Sequence, residues 1–329
     1  MHKKLKLLKI RLYQEERRSL IMYYNAALVL EGGAMRGLYT SGILDVLLKK
    51  DIQFKTVIGV SAGSLSGANY VSKQYKRTYN INTKYRDDKE YISMANVLKK
   101  ESIINLDFLF ADHGPTWHNF DAKAYERSET NFVVVATELT SGKAVTFNKP
   151  KPGKPFINAL EASSSMPFIS KPVQTAKGLC LDGGIANSIP YDLAQQAGFD
   201  KIVVVRTRMR DYRKKSTSFA LQKLYHRHFK TYPNFVKAAI ARPENYNKSV
   251  ETLNQLEKDN KIFVLAPETP VKVGRLEHNV KKLDELYQVG TADMENNFDK
   301  MIAYLESWSY VSQKDRWDNP NGLFLYHQL

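Results

Sequence analysis

Five short apolar runs mark the chain, at residues 26–30, 55–60, 131–136, 202–205 and 262–265. Most are rich in β-branched side chains, as in Val57-Ile58 with Val60 or Ile202 to Val205, and none alternates with polar residues, which is the pattern of strands buried on both faces of a parallel sheet. Helical spacings fall between them, at Gly42 to Lys50, Ala62 to Tyr75, Pro155 to Ser163 and Pro190 to Ala197, followed by a long tract from Phe219 to Asp259. This alternation predicts an α/β fold, a doubly wound sheet with helices on both faces. Thr140-Ser141-Gly142-Lys143 reads as a turn returning strand 131–139 into Ala144-Val145-Thr146-Phe147, so an antiparallel hairpin is expected at one side. Beyond Pro270, Arg275 to Leu305 reads as another helix, and the aromatic-rich tail Trp308 to Leu329 has no assignable pattern.

Composition changes this picture little. With 329 residues and 43% hydrophobic content the chain can bury a large core, and no repeat or low-complexity tract points to a solenoid or to disorder. The single cysteine, Cys180, cannot form a disulfide within the chain, which suits a reducing compartment, so a cytoplasmic location is expected.

Charge adds more. The formal net charge is +15, and residues 1–22 carry seven Lys and Arg against two Glu, so they hold five of those fifteen charges. Lys6, Lys9 and Arg11 interrupt the leucines of this basic extension, which excludes a signal peptide or a membrane span there. Glu16-Arg17-Arg18 is also compatible with a ribosome-binding site just upstream of Met22, so translation starting at Met22 is one expectation; a basic amphipathic helix lying on a membrane surface is the other. No zinc-finger spacing or glycine-aromatic RNA-binding signature is present, which argues against a specific nucleic-acid partner. The basic body is read as a solvated surface, with attraction to anionic headgroups as the functional alternative.

Three glycine-bearing segments carry the candidate chemistry. Gly59-Val60-Ser61-Ala62-Gly63 fits Gly-x-Ser-x-Gly between a buried strand and a helix, where a strained elbow lifts Ser61 out and side chains at 59 and 63 would strike neighbouring backbone. The helix N-terminus, with the amide of Ala62, then faces any oxyanion formed at Ser61. Upstream, Glu31-Gly32-Gly33-Ala34-Met35-Arg36-Gly37 again links a strand to a helix. A dinucleotide fingerprint needs Gly at 34 and a P-loop needs Lys with Ser or Thr after Gly37; the chain has Ala34 and Leu38-Tyr39, so both nucleotide readings fail. What remains is a turn with outward amides and the charge of Arg36, suited to an oxyanion hole. The third segment is Leu181-Asp182-Gly183-Gly184, a carboxylate at a strand end placed to serve as a general base.

In this order and spacing the three segments resemble those of the patatin-like phospholipases, over about residues 25–207; Ala136-Thr137-Glu138-Leu139, Ser141-Gly142-Lys143 and Ala162 to Pro167 resemble the family too, as does Val273 to Glu277 its bacterial members. The resemblance implies a three-layer α/β/α fold with a mainly parallel sheet and C-terminal helical additions. It implies a Ser61–Asp182 dyad hydrolysing lipid acyl esters through an acyl-enzyme, as a phospholipase A or lysophospholipase does. Gly32, Gly33, Ala34, Arg36 and Ala62 would form the oxyanion site, and Gly59, Gly63, Gly37, Gly183 and Gly184 would support it. No cofactor and no metal are implied. Where many members have a third glycine this chain has Ala34, which fits if its φ is negative. The expected organisation is a basic extension at 1–22, a catalytic core at 23–207, and a mainly helical region at 208–329 with one strand, packing on the core.

Two rival readings stay open: an esterase with a Ser-Asp-His triad drawing on His226, His228, His278 or His327, and a lipid-binding protein with an inactive site. His226 and His228 sit among Lys and Arg and are expected to be exposed. Residues 76–128, with tyrosines at 79, 85 and 91 and the patch Leu106 to Phe110, are too long for bare loop; packed helix is expected, a lipid-touching cap over the site being the alternative.

Overall fold

The structure is a computed structural model and describes residues 22–86, 90–91, 105–114 and 117–307. The basic extension up to Ile21, the tail from Trp308 and His327 lie outside those residues. The five apolar runs form β1 (Met22–Leu30), β2 (Ile52–Val60), β3 (Asn131–Glu138), β7 (Ile202–Val205) and β8 (Phe263–Leu265). All five are parallel neighbours in the order β8-β7-β1-β2-β3. Both faces are covered, because successive residues alternate sides: Leu28 and Leu30 enter one core while Ala27 and Val29 enter the other. The same split divides Phe132 and Val134 from Val133 and Val135.

One face is covered by α1 (Gly37–Lys49), α2 (Ala62–Val71), α6 (Lys154–Ser164) and α10 (Val280–Glu306); the other by α7 (Tyr191–Gln196) and α9 (Pro233–Lys258). The chain is therefore mixed α/β with a mainly parallel central sheet between helical layers and a helical C-terminal part. The expected hairpin forms between β3 and β4 (Ala144–Asn148), which is antiparallel. A second antiparallel hairpin, β5 (Val173–Thr175) with β6 (Gly178–Asp182), attaches to the end of β3.

Four helix expectations need correction, the first because the helix expected from Gly42 already begins at Gly37. The tract Phe219 to Asp259 is two helices, α8 (Phe219–His228) and α9, because Phe229 turns inward and Pro233 disfavours a helical Tyr232 and opens a new first turn. The last helix begins at Val280, with Asn279 capping the Lys282 amide at 3.2 Å, so residues 275–279 precede it. The helix after Ser61 stops at Val71, short of Tyr75. Residues 76–128 contribute the short helices α3 (Arg77–Thr83), α4 (Leu106–Phe110) and α5 (Ala122–Arg127). Buried Arg77 ties α3 to α2 and α4, donating to Asn69 Oδ1 at 2.8 Å and to the carbonyls of Leu109 and His118.

The C-terminal part is fastened to the core through α1 and α10. Added Cβ atoms at Gly42 and Gly290 would run into the Tyr287 and Tyr39 carbonyls respectively, so the two backbones touch. Tyr287 donates to Asp45 at 3.0 Å and Tyr39 to Asp293 at 2.9 Å across the same contact. Among the described residues no helix is long and apolar enough to cross a membrane.

Candidate active site

The register of β3 determines what meets at the site. Val135 pairs with Val60, the last residue of β2, and Ala136 pairs with Asp182, the last residue of β6. The other edge of β3 is taken by β4 through Val133 to Thr137, so β6 occupies the edge that β2 leaves when it turns away. Ser61 and Asp182 are therefore brought together although 121 positions separate them.

At the turn, Ser61 adopts φ 55° and ψ −125°, a conformation costing about 1–3 kcal/mol for a residue with a side chain. Several bonds hold it there. Its N–H donates to Ser163 Oγ at 2.9 Å, and that hydroxyl donates onward to the Val135 carbonyl at 2.6 Å. Its carbonyl accepts from the Ser64 amide at 2.9 Å and the Ser64 hydroxyl at 2.7 Å. An added Cβ at Gly59 would lie 2.7 Å from the Gly63 carbonyl oxygen, and one at Gly63 would strike the Leu30 carbonyl. The elbow thus closes only with glycine at both positions.

Ser61 Oγ donates to Asp182 Oδ2 at 2.7 Å, and Asp182 Oδ1 accepts from the Gly184 amide at 2.8 Å. Only 9% of Ser61 and 6% of Asp182 are exposed. Burial raises the carboxyl of Asp182 above its ordinary value; the nearby charge of Arg242, the Ser61 hydroxyl and the Gly184 amide pull the other way. Behind it, the Asp182 N–H donates to the Ser165 carbonyl at 2.7 Å and its carbonyl accepts from Thr137 Oγ1 at 2.9 Å. Gly183 passes so close to the Val135 carbonyl that a Cβ would collide, and one on Gly184 would sit 3.0 Å from Asp182 Oδ1.

The glycine loop abuts this pair. A Cβ on Gly32 would be 3.1 Å from that of Ser61, one on Gly37 3.0 Å from that of Ala62, and one on Gly33 2.7 Å from Thr207 Oγ1. Among the described residues the amides of Gly33, Ala34 and Ala62 donate to no protein acceptor. Ala34 departs from expectation: its φ is +49°, not negative, so the loop enters the left-handed region and carries a strain that glycine would avoid. Glu31 braces the turn, accepting from the Thr207 amide at 2.6 Å and from Tyr246 Oη at 2.9 Å. Arg36 is 8% exposed, and burial followed by the charge of Arg208 lowers its guanidinium to about 10.

Two cavities open on Ser61. One is walled by Met35, Leu38, Leu65, Ile81, Leu109 and Phe110 and is predominantly apolar. The other is lined by Gly33, Ala34 and Asp182 together with Arg36, Arg208, Lys214, Arg242 and Arg275. Residues 76–128 therefore contribute part of the first cavity's wall.

Among the described residues no histidine bonds to Ser61 or Asp182. His226 and His228 are exposed, and His278 Nδ1 contacts Arg86 Nη2 at 3.0 Å. The sequence reading assigned no role to Ser163, Thr137 or Ser165, although each lies in a stretch that carries the family resemblance. Lys214 and Arg242, which line the second cavity, are not distinguished from other basic residues by local pattern.

A domain of unknown function matches residues 232–306. An uncharacterized Escherichia coli (strain K12) protein, YjjU, is 27% identical over 186 residues, covering 55% of this chain and 51% of that protein. The probable lipid hydrolase 463L of Invertebrate iridescent virus 6 is 26% identical over 197 residues, covering 52% of this chain and 63% of its own length. The chain thus spans about half to two thirds of the length of these curated relatives. The crystal structure of VipD from Legionella pneumophila aligns with 84% of this chain and 67% of its own, at 13% identity and a TM-score of 0.44. The family model described as patatin-like phospholipase matches residues 28–194, more than half of the 329, and this segment holds the serine elbow, the glycine loop and the aspartate: the chain belongs to the patatin-like phospholipase family.

Proposed function

We propose that the protein hydrolyses lipid acyl esters, with Ser61 as nucleophile and Asp182 as its base. The observation that carries this reading is the 2.7 Å bond from Ser61 Oγ to a buried carboxylate, made at a strained elbow beside unpaired amides. In the first step Ser61 Oγ bonds to the ester carbonyl carbon while its proton passes to Asp182. The amides of Gly33, Ala34 and Ala62, with Gly32 shaping the loop and Arg36 adding charge, stabilise the resulting oxyanion. Collapse breaks the bond to the alcohol oxygen, which takes the proton from Asp182. Water then attacks the acyl-enzyme by the same route and releases the fatty acid. Raising the Asp182 carboxyl by burial makes it a better base than an ordinary aspartate, which compensates for the absence of imidazole in this scheme.

The apolar cavity takes the acyl chain. Approach to an anionic membrane surface runs through α8, whose exposed Phe219, Leu221 and Leu224 stand beside Lys223 and Arg227; Leu221 also lines the cationic cavity. Treating the full chain and Ser61→Ala with a fluorophosphonate probe, then assaying both on phospholipids, lysolipids and nitrophenyl esters, tests the reading. Labelling and turnover that both vanish in Ser61→Ala are expected. An unlabelled, inactive wild-type protein would instead favour a lipid-binding role.

A further inference from the structure

Arg36, Arg208, Lys214, Arg242 and Arg275 line one cavity of about 350 Å³ beside Ser61, a volume within the range of ligand sites. Two carboxylates face them, and both are occupied: Glu31 by Thr207 and Tyr246, Asp182 by Ser61 and Gly184. None of the five cations forms an ion pair among the described residues. Arg36 is more than nine-tenths buried, yet its Nε meets no acceptor. The charges also oppose one another. Arg208 and Arg275 add to burial in lowering Arg36, and burial with Arg242 and Arg275 pushes Lys214 down to about 6. Arg242 does donate to the Gly184 carbonyl and Lys214 to Ser188 Oγ at 3.3 Å, but like charges gathered without an ion pair, around a buried Arg36, are costly, and an anion with several oxygens would relieve them together.

We propose that this cavity is an anion subsite that receives a phosphomonoester carried on the alcohol side of the ester, while the acyl chain occupies the apolar cavity across Ser61. The assignment rests on the hydrolase reading and names the substrate class of the same site. A zwitterionic choline group fits less well, because its quaternary ammonium would meet the five cations, and two of the aromatic faces lining the cavity already hold one: Lys214 Nζ lies 3.6 Å from the Tyr246 ring centre and the Arg208 guanidinium 4.6 Å from that of Tyr212. Four of the five cations lie beyond the family match at 28–194, and Arg242 and Arg275 belong to the domain of unknown function at 232–306. The role this gives the C-terminal region is to read the alcohol.

The test compares kcat/KM of the full chain on three esters of one acyl chain, built on glycerol, glycerophosphocholine and glycerol 3-phosphate. The phosphomonoester should lead by about ten- to hundredfold, the scale of one or two charge-assisted hydrogen bonds. That lead should collapse in Lys214→Gln and in Arg275→Gln; Arg275 is exposed, so its replacement spares the core. In parallel, calorimetry on Ser61→Ala should show glycerol 3-phosphate binding, weakened when either substitution is added. Equal rates on all three esters without glycerol 3-phosphate binding overturn the subsite and leave the hydrolase reading standing. Binding of inorganic phosphate with no preference among the esters overturns the link to the leaving alcohol. Turnover of no ester, with glycerol 3-phosphate still bound, supports the subsite and removes the hydrolase reading.

Discussion

Ser61 faces Ile81, Leu109 and Phe110 on one side and Arg208, Lys214 and Arg242 on the other, with Arg275 bordering both cavities. The apolar wall is content when empty. Its side chains pack on one another, as Phe110 does edge-on against Phe120 and Phe156 with ring centres 5.0 and 5.1 Å apart. The cationic wall differs, since its five cations face only Glu31 and Asp182 and form no ion pair among the described residues. One wall therefore follows from packing alone, whereas the other is the wall that the proposed anion would relieve.

Removing what the two walls share should have the largest effect. Ser61→Ala or Asp182→Asn should each lower kcat by about ten-thousandfold, as removal of a nucleophile or its base does elsewhere. Retained turnover in Asp182→Asn would end the dyad proposal. Leu109→Trp should fill the apolar side alone and cut kcat/KM on long-chain esters by about a hundredfold while sparing short-chain ones, an effect of a few methylenes' worth of pocket; equal losses on both would show that the acyl chain lies elsewhere. Ser163→Ala leaves the Ser61 amide without its acceptor, which should cost about 1–3 kcal/mol and appear as a lower Tm with reduced kcat. A Tm matching the wild type would remove that brace from the account.

Smaller still is a shift in pH dependence. Asp182 must be ionised to accept a proton and burial raises its carboxyl, so activity falls as pH drops through that raised value. Arg242 pulls the value down, so Arg242→Gln should move the acid limb of kcat/KM to higher pH; an unmoved limb would mean that another group titrates. The double substitution of His226 and His228 by Gln, on exposed positions of α8, should change nothing in the ester assays. Loss of turnover in that folded variant would reinstate a triad.

Much of this was legible in the sequence because its determinants are local. Val57 to Val60 and Ile202 to Val205 announce buried strands by themselves, and a serine between two spaced glycines after such a strand announces the elbow. Ala34 misled for a local reason, since an alanine suggests negative φ and only the surrounding packing holds it at +49°. The break before Pro233 was also written locally, but the helical tract on either side masked it. The cationic wall was illegible for another reason: Arg208, Lys214, Arg242 and Arg275 are scattered among 49 basic residues, and only the fold gathers them. A net charge of +15 by itself implies no more than a solvated surface or headgroup attraction. Part of it turns inward.

The pairing of Val60 and Asp182 with adjacent residues of β3 makes that strand a ruler on which two strand ends are laid tip to tip. Side chains alternate along such a ruler, so a single residue inserted between Val135 and Ala136 would both lengthen the gap and reverse the direction of everything beyond it. The hydroxyl and carboxylate would separate even though each kept its own turn. A change of loop length around this centre leaves that register intact, whereas a change in the length of the strand beneath does not.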